Sequence, residues 1–182
     1  MADQTESLAA LWKVPLNDRN YLIEFFHNTT TGKRVIIVDG KKIVSTDWMF
    51  KLVGSEEFLL GIDESRCVIN IEPNGPFSYE YTLCVDGMDI QKFVEVKSRT
   101  CCTWNVQVSG KDYRVVLEKD SLDILINGKK IDVTGEFIEN GTETHFSLDE
   151  IPAYIVAVAT GIKREGLQYT LIINDVVIPY VN

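Results

Sequence analysis

The stretch IIVDGKKI at residues 36–43 returns as ILINGKKI at residues 124–131, 88 positions later. Each copy is an apolar β-branched run, an Asp-Gly or Asn-Gly pair, and a return run. These pairs are the ones that two-residue hairpin turns favour, because both turn positions need a positive φ. The two stretches therefore predict two equivalent β-hairpins.

The repeat extends beyond these hairpins. The same offset aligns further identical residues: Phe58 with Phe146, Leu60 with Leu148, Tyr81 with Tyr169, and Ile90 with Ile178. Repetition on this scale indicates a tandem duplication, and roughly 90 residues can bury a modest core of their own. We therefore predict an N-terminal β domain at residues 1–91, a linker at 92–102 and a C-terminal β domain at 103–182.

Short alternating runs separated by turn residues predict an all-β fold. We expect two tandem duplicated antiparallel domains, each a β-sandwich or flattened barrel of roughly seven to eight strands. Alternation is clearest near the end of the first module, and it predicts one inward face made of Phe77, Tyr79, Tyr81, Leu83 and Val85. Residues 91–99 are the best helix candidate, and form either one or two helical turns or an extended connector.

The charge balance argues against nucleic acid as a partner. The chain has 18 Lys and Arg against 27 Asp and Glu, a net charge of −9, and both halves are acidic. Nucleic-acid binders normally carry a basic patch that displaces the counterions of phosphate. With 45% hydrophobic and 25% charged residues, the composition is that of an ordinary globular protein.

The sequence predicts a cytoplasmic protein without membrane insertion. The first residues lack a signal peptide's basic-then-apolar layout, and no apolar run approaches the ~20 residues that span a bilayer. Four cysteines form no C-x-x-C pair and are expected to be reduced thiols, Cys67 pointing inward and Cys84 outward. An alternative is redox sensing by Cys101-Cys102, since the nearby Arg99 could lower a thiol pKa.

No catalytic motif is present, so we expect no enzyme activity, no cofactor and no metal site. The nucleotide-binding glycine loops, the serine hydrolase elbow and His-Glu-x-x-His are all missing from the sequence. Glu143 and His145 share one face of a predicted strand, but a metal site needs three or four converging ligands. His27 and His145 are accordingly interpreted as structural or surface residues, with a catalytic pairing of Glu143 and His145 as the alternative.

The tryptophans divide into two kinds. Trp12 and Trp104 begin the two modules at equivalent positions, which favours a shared core role. Trp48, in the stretch WMFKLVG at residues 48–54, has no tryptophan counterpart. We expect Trp48 and Phe50 to be a partly exposed pair on a strand. Ordinary packing is the commoner role for such a stretch, and the alternative is a surface that binds a partner.

A second asymmetry precedes the first hairpin, where the turn after His27 is about four residues longer than its counterpart. Lys33-Arg34 and the Lys-Lys pairs of both hairpins are interpreted as solvated hairpin ends. Because these two regions break the repeat, the candidate protein-contact residues are Thr30, Lys33, Arg34, Trp48 and Phe50. A rival function is binding of a lipid or sugar in a pocket lined by the inward strand faces.

The chain resembles the Fas apoptotic inhibitory molecule family from about residue 12 to residue 179, and within it the short form. The resemblance lies in TTTGKRV (29–35), VDG (38–40), WMFKLVG (48–54), YEYTL (79–83), YRVVLEKD (113–120), NGKK (127–130), GEF (135–137) and NGTETHF (140–146). Departures concentrate at residues 55–67, 97–102 and 148–153, and the Cys101-Cys102 pair is outside the pattern.

This resemblance implies two all-β domains in tandem, a cytosolic location and no enzymatic activity. It also implies a role as an antagonist of death-receptor apoptosis, with links to neurite outgrowth and to protection against stress-induced protein aggregation. The expected partners are therefore proteins, either components of a death-receptor pathway or misfolded chains. The resemblance carries over no catalytic or binding residues.

Overall fold

The computed structural model describes residues 7–161 and 166–180. The chain divides into two compact units, Met1–Val96 and Lys97–Asn182. All strand pairs in the described residues are antiparallel, which confirms the predicted all-β class.

The first unit consists of two four-stranded sheets, each connected in simple up-and-down order. The first sheet contains β1 (Leu8–Pro15), β2 (Asn20–His27), β3 (Arg34–Val38) and β4 (Lys41–Ser45). The second contains β5 (Gly54–Leu60), β6 (Ser65–Pro73), β7 (Tyr79–Val85) and β8 (Met88–Asp89). Buried residues from both sheets form one core, which includes Ile23, Phe25, Ile36, Ile69 and Leu83.

The second unit repeats this plan with one strand more. Its first sheet contains β9 (Cys101–Val108), β10 (Lys111–Glu118), β11 (Ile124–Ile126) and β12 (Lys129–Lys130). Its second sheet contains β13 (Thr134–Ile138), β14 (Gly141–Leu148), β15 (Ile151–Ala159), β16 (Leu167–Ile173) and β17 (Val176–Ile178). The core is built around the fully buried Trp104.

The helix α1 (Ile90–Thr100) confirms the helical interpretation of residues 91–99. The carboxylate of Asp89 accepts a hydrogen bond from the backbone N–H of Gln91 at 2.8 Å, which caps the first turn. Lys97 and Arg99 lie in the last turn, where the helix dipole favours positive charge. Phe93 is buried in the core of the first unit.

The two predicted hairpin turns are confirmed and share one geometry. Asp39 and Gly40 have φ of 48° and 77°, and Asn127 and Gly128 have 49° and 79°. In each turn the first side chain also accepts a backbone N–H of the neighbouring strand: that of Leu22 at 2.9 Å for Asp39, and that of Arg114 at 2.8 Å for Asn127. The turn residues therefore tie three strands together.

The predicted inward face of β7 needs one correction. Leu83 and Val85 are fully buried, but Phe77 is 96% exposed and precedes the strand. Asn74 donates its backbone N–H to the carbonyl of Ser78 at 2.9 Å, so the chain turns back at this point and alternation does not yet apply. Trp104 is a core residue as predicted, and Trp12 packs against the first core while half-buried.

Candidate functional site

The connection between β4 and β5, residues 46–53, carries Trp48 and Phe50 and is called the aromatic loop below. Trp48 is 66% exposed and Phe50 is 96% exposed, and their ring centroids are 6.3 Å apart. The predicted exposure is confirmed, but the predicted strand is wrong, since these residues form no ladder. The loop passes from one sheet to the other. Its first residue, Thr46, still donates its N–H to the carbonyl of Arg34 in β3, and Met49 then bonds to the turn before β3.

The aromatic loop is held by the turn at residues 28–33. The side-chain oxygen of Asn28 accepts the backbone N–H groups of Thr30 at 3.0 Å and of Thr31 at 2.9 Å, which fixes the turn. The carbonyl of Thr31 then accepts the N–H of Met49 at 2.9 Å. The two segments that break the repeat are therefore in direct contact.

Gly32 is needed where these two segments meet. Its φ is 73°, and a Cβ atom added to it would lie 2.2 Å from the carbonyl oxygen of Met49. Any larger residue would force the loop away from the turn, since real side chains do not approach a backbone oxygen so closely. The sequence indicated a longer turn here but could not indicate this contact.

Arg34 fixes the other end of the aromatic loop. Its Nη1 lies 2.7 Å from Oε1 of Glu56, and its Nη2 donates to the carbonyls of Lys51 at 3.1 Å and Val53 at 3.0 Å. The side chain is only 2% exposed. The interpretation of Arg34 as part of a solvated hairpin end is therefore wrong, because this first residue of β3 points between the sheets.

The described residues of the second unit contain no equivalent of this arrangement. At the repeat offset of 88, Leu122 stands where the first unit has Arg34, and Thr144 stands where it has Glu56. Leu122 is 47% exposed with a φ of 60°. The segment that corresponds to Trp48 lies in β13, a strand. In the part of the chain that the structure describes, a loop held by a buried arginine thus occurs in the first unit alone.

His27 is buried next to this arginine, as its cross-strand neighbour on β2. Its Nδ1 lies 3.0 Å from the hydroxyl of Tyr81, and its ring meets that of Tyr79 edge-on at 5.3 Å. Burial, and secondarily the charge of Arg34, lower the pKa of His27. A neutral imidazole packed among aromatic rings agrees with the structural role predicted for it.

His145 and Glu143 share one face of β14, as predicted. Nε2 of His145 lies 3.2 Å from Oε2 of Glu143 without hydrogen-bonding geometry, and the imidazole stacks on Tyr154 at 5.2 Å. Across residues 7–161 and 166–180, no group of three or more His, Cys, Asp or Glu side chains could hold a metal ion. The pair is therefore a half-buried contact beside an aromatic ring, without the further ligands that a metal site needs.

The cysteines are all unpaired thiols. Burial raises the pKa of Cys67 to about 12 and also raises the pKa of Cys102. Cys101 is buried beside it, so neither thiol has the exposure that a redox sensor needs. Cys67 points inward and Cys84 is half-buried on the outer face.

A cleft of about 370 Å³ lies at one edge of the second unit. Its walls come from β9, the start of β15, the end of β16 and the residues up to Pro179, with Asn105, Gln107 and Asn174 among six apolar side chains. An open cleft with this mixed lining differs from the apolar interior pocket that lipid or sugar binding predicts.

Among the described helices, none has the length and apolar character that crossing a membrane requires.

Comparison with known proteins gives a match along almost the entire chain. Residues 8–181 match the model of a family described as Fas apoptotic inhibitory molecule. Fas apoptotic inhibitory molecule 1 of Mus musculus is 48% identical, with 94% of this chain and 96% of the mouse protein covered. The proteins of the same name from Homo sapiens and Bos taurus are 46% and 45% identical, with 96% and 98% of this chain and 97% and 89% of those proteins covered.

Proposed function

Because this chain belongs to the Fas apoptotic inhibitory molecule family, we propose that it inhibits apoptosis initiated by Fas or a related death receptor and does so by protein contact. The observation that carries this proposal is the end-to-end match with relatives that bear this name. A non-enzymatic mechanism is supported by the sequence, which has no catalytic motif. Four unpaired cysteines favour a reducing compartment and thus a cytosolic site of action.

We place the contact surface on the aromatic loop and the adjoining turn. Trp48 and Phe50 present two aromatic rings to solvent, and tryptophan is among the residues that dominate binding energy in protein interfaces. Thr30 and Lys33 lie on the turn that holds the loop. Arg34 supports the surface from inside, because its guanidinium binds two carbonyls of the loop.

The loop is suited to binding because it is already ordered in the free chain. The hydrogen bond from Met49, the close approach of Gly32 and the two carbonyl bonds to Arg34 fix its backbone at both ends. Ordering a loop during binding costs conformational entropy, so a loop ordered beforehand keeps more of its contact energy. The same exposed rings could contact unfolded chains, which is how we propose that aggregation is suppressed.

The test compares aromatic truncations in cells that die on Fas ligation. Expression of the chain should reduce executioner-caspase activation, and the double variant Trp48→Ala/Phe50→Ala should lose most of this protection. Phe77→Ala is the matched control, since Phe77 is an equally exposed phenylalanine of the same unit outside the loop. Both proteins should keep the wild-type thermal midpoint, because the replaced side chains are largely in water.

Partner capture and client protection are measured separately. A cross-linked pull-down with the wild-type chain and the double variant should show a partner that only the wild type retains. Light scattering of a heat-denatured client protein, with the chain added below one equivalent, should show suppression that the double variant lacks. Equal protection by the double variant and the wild type in cells would remove the aromatic loop from the mechanism.

A further inference from the structure

The strand β13 has a free backbone edge. Successive residues of a strand within an antiparallel sheet direct their backbone N–H and C=O groups alternately to the strand on either side. The N–H of Ala159 donates to the carbonyl of Asn140 at 3.3 Å, which shows which residues of β14 bond to β15 and which bond to β13. By that alternation, Glu136 exchanges its hydrogen bonds with Glu143 of β14. Gly135 and Phe137 therefore direct their N–H and C=O groups away from the sheet, where no described strand meets them.

The inward face of β13 is also uncovered. Phe137 shares a face with Thr142 and the buried Ala157, yet Phe137 is 96% exposed. A Cβ atom added to Gly135, the other residue on this face, would meet nothing within 4 Å. The fifth strand thus extends beyond its core, and its edge and its apolar face are open together.

Proteins usually protect sheet edges with lysine, proline, bulges or very short strands. Most of the remaining edge strands have such protection. β1 has a bulge with Lys13 and Pro15, β4 and β12 have lysine pairs, and β8 is only two residues long. Pro179 follows the three-residue β17, and the hydroxyl of Tyr180 donates to the outward carbonyl of Cys101 in β9. The sequence TGEFI of β13 contains neither lysine nor proline.

From residue 131 to residue 144 every Lys, Arg, Asp or Glu side chain is acidic. Asp132, Glu136, Glu139 and Glu143 lie in or next to the β13–β14 hairpin, and residues 131–144 contain no lysine or arginine. Glu136 and Glu143 are direct cross-strand neighbours on the outer face. Like charges placed opposite each other are unfavourable, and a basic residue on an added strand would relieve this repulsion.

We propose that β13 binds an extended polypeptide segment of another protein as a sixth strand, in which apolar side chains alternate with lysine or arginine. Gly135 and Phe137 supply the backbone hydrogen bonds, the apolar side chains pack beside Phe137, and the basic ones face Glu136. A second copy of this chain is a poorer occupant, because β13 against β13 brings the carboxylates of both chains together. This inference rests on the proposed protein-binding function and adds a second contact surface.

The test is amide exchange measured by NMR on the full chain, with and without a seven-residue peptide of alternating lysine and valine. In the free chain, the amides of Gly135 and Phe137 should exchange fast, and those of Thr134, Glu136 and Ile138 should be protected. The peptide should slow Gly135 and Phe137 selectively. The same peptide N-methylated at alternate residues, and one of alternating glutamate and valine, are the controls and should have no effect.

Two substitutions provide the matched test. Glu136→Lys should weaken binding of the lysine peptide by about two- to fivefold and strengthen that of the glutamate peptide. Gly135→Pro should abolish strand addition, because it removes an outward N–H that β14 does not use. If Gly135→Pro unfolds the unit, Glu136→Lys decides the question by itself, through its shift of preference from the lysine peptide to the glutamate peptide.

Four results would overturn the proposal. They are absence of peptide binding, binding without protection at Gly135 and Phe137, protection of these amides already in the free monomer, and concentration-dependent protection that reports self-pairing. The Trp48→Ala/Phe50→Ala variant separates this proposal from the preceding one. If that variant adds the peptide strand normally but no longer captures the partner, the aromatic loop and the edge of β13 act independently.

Discussion

Arg34→Met should be the most destabilising exchange of a charged residue in the first unit. It removes a buried guanidinium that pairs with Glu56 at 2.7 Å and donates to two loop carbonyls. Truncating one partner of a buried ion pair typically costs about 3–5 kcal/mol, because the other charge stays buried and unpaired. Glu56 keeps 16% of its side chain in contact with water, so we expect about 3 kcal/mol.

The measurement is urea and thermal unfolding followed by circular dichroism and tryptophan fluorescence. For a unit of this size, about 3 kcal/mol corresponds to a lower Tm by on the order of 10–20 °C. Glu56→Gln added to Arg34→Met should recover part of the loss, since the uncompensated carboxylate is then neutral. The fluorescence emission of Trp48 should also change before global unfolding, because two carbonyls of the aromatic loop lose their hydrogen bonds to Arg34.

Arg66→Met is the matched control, because Arg66 pairs with Glu57, the next residue of the same strand, at 2.5 Å. That pair is exposed, with 61% and 52% of the two side chains in water. Exposed pairs contribute little, so Arg66→Met should leave the urea midpoint unchanged. Equal unfolding curves for Arg34→Met and wild type would refute the argument that a buried arginine holds the loop.

Three further outcomes follow from burial and backbone geometry. Gly32→Ala should lower the free energy of unfolding by about 1–3 kcal/mol. Gly40→Ala should lower it less, because Gly40 has a similar φ but open space around it. Equal unfolding curves for the two variants would contradict the close approach of Gly32 to the carbonyl oxygen of Met49. Burial raises the pKa of Cys67 to about 12, so this thiol should resist a thiol reagent at pH 8 until the unit unfolds, whereas Cys84 should react first. Early labelling of Cys67, located by mass spectrometry, would contradict its burial. The lowered pKa of His27 means that the unfolded chain binds a proton more readily than the folded chain. The stability due to the neutral imidazole is therefore full above about pH 6.5 and declines as pH falls toward the folded pKa. His27→Phe should flatten this pH dependence of the urea midpoint, and an unchanged pH dependence would refute the assignment.

Local sequence rules predicted the features that depend on adjacent residues. The Asp39-Gly40 and Asn127-Gly128 turns form as expected, because a two-residue loop with positive φ leaves few other conformations for the chain. Alternation placed Leu83 and Cys67 correctly, since one face of these strands is buried. Alternation failed for Phe77, where the backbone turns away before the ladder begins.

The features that define the candidate site depend on residues distant in sequence. Lys33-Arg34 beside a turn has the local pattern of a solvated end, and nothing near it indicates a carboxylate 22 residues later. Nor does the sequence reveal that Gly32 touches the backbone of Met49, because that contact closes a loop of 17 residues. The additional strand β13 has a related origin, because the five residues TGEFI form a strand by pairing with β14.

The sequence by itself determined the duplication, the all-β class, the hairpin turns and the family. These follow from local backbone preferences and from residue identity, both of which are readable without a third dimension. Only the tertiary structure decided which charges are buried, which aromatic side chains face solvent and which strand edge is free. Those properties depend on what the rest of the chain places within a few ångströms, so Arg34 becomes an internal support while Trp48 and Phe50 are exposed and the edge of β13 has no strand beside it.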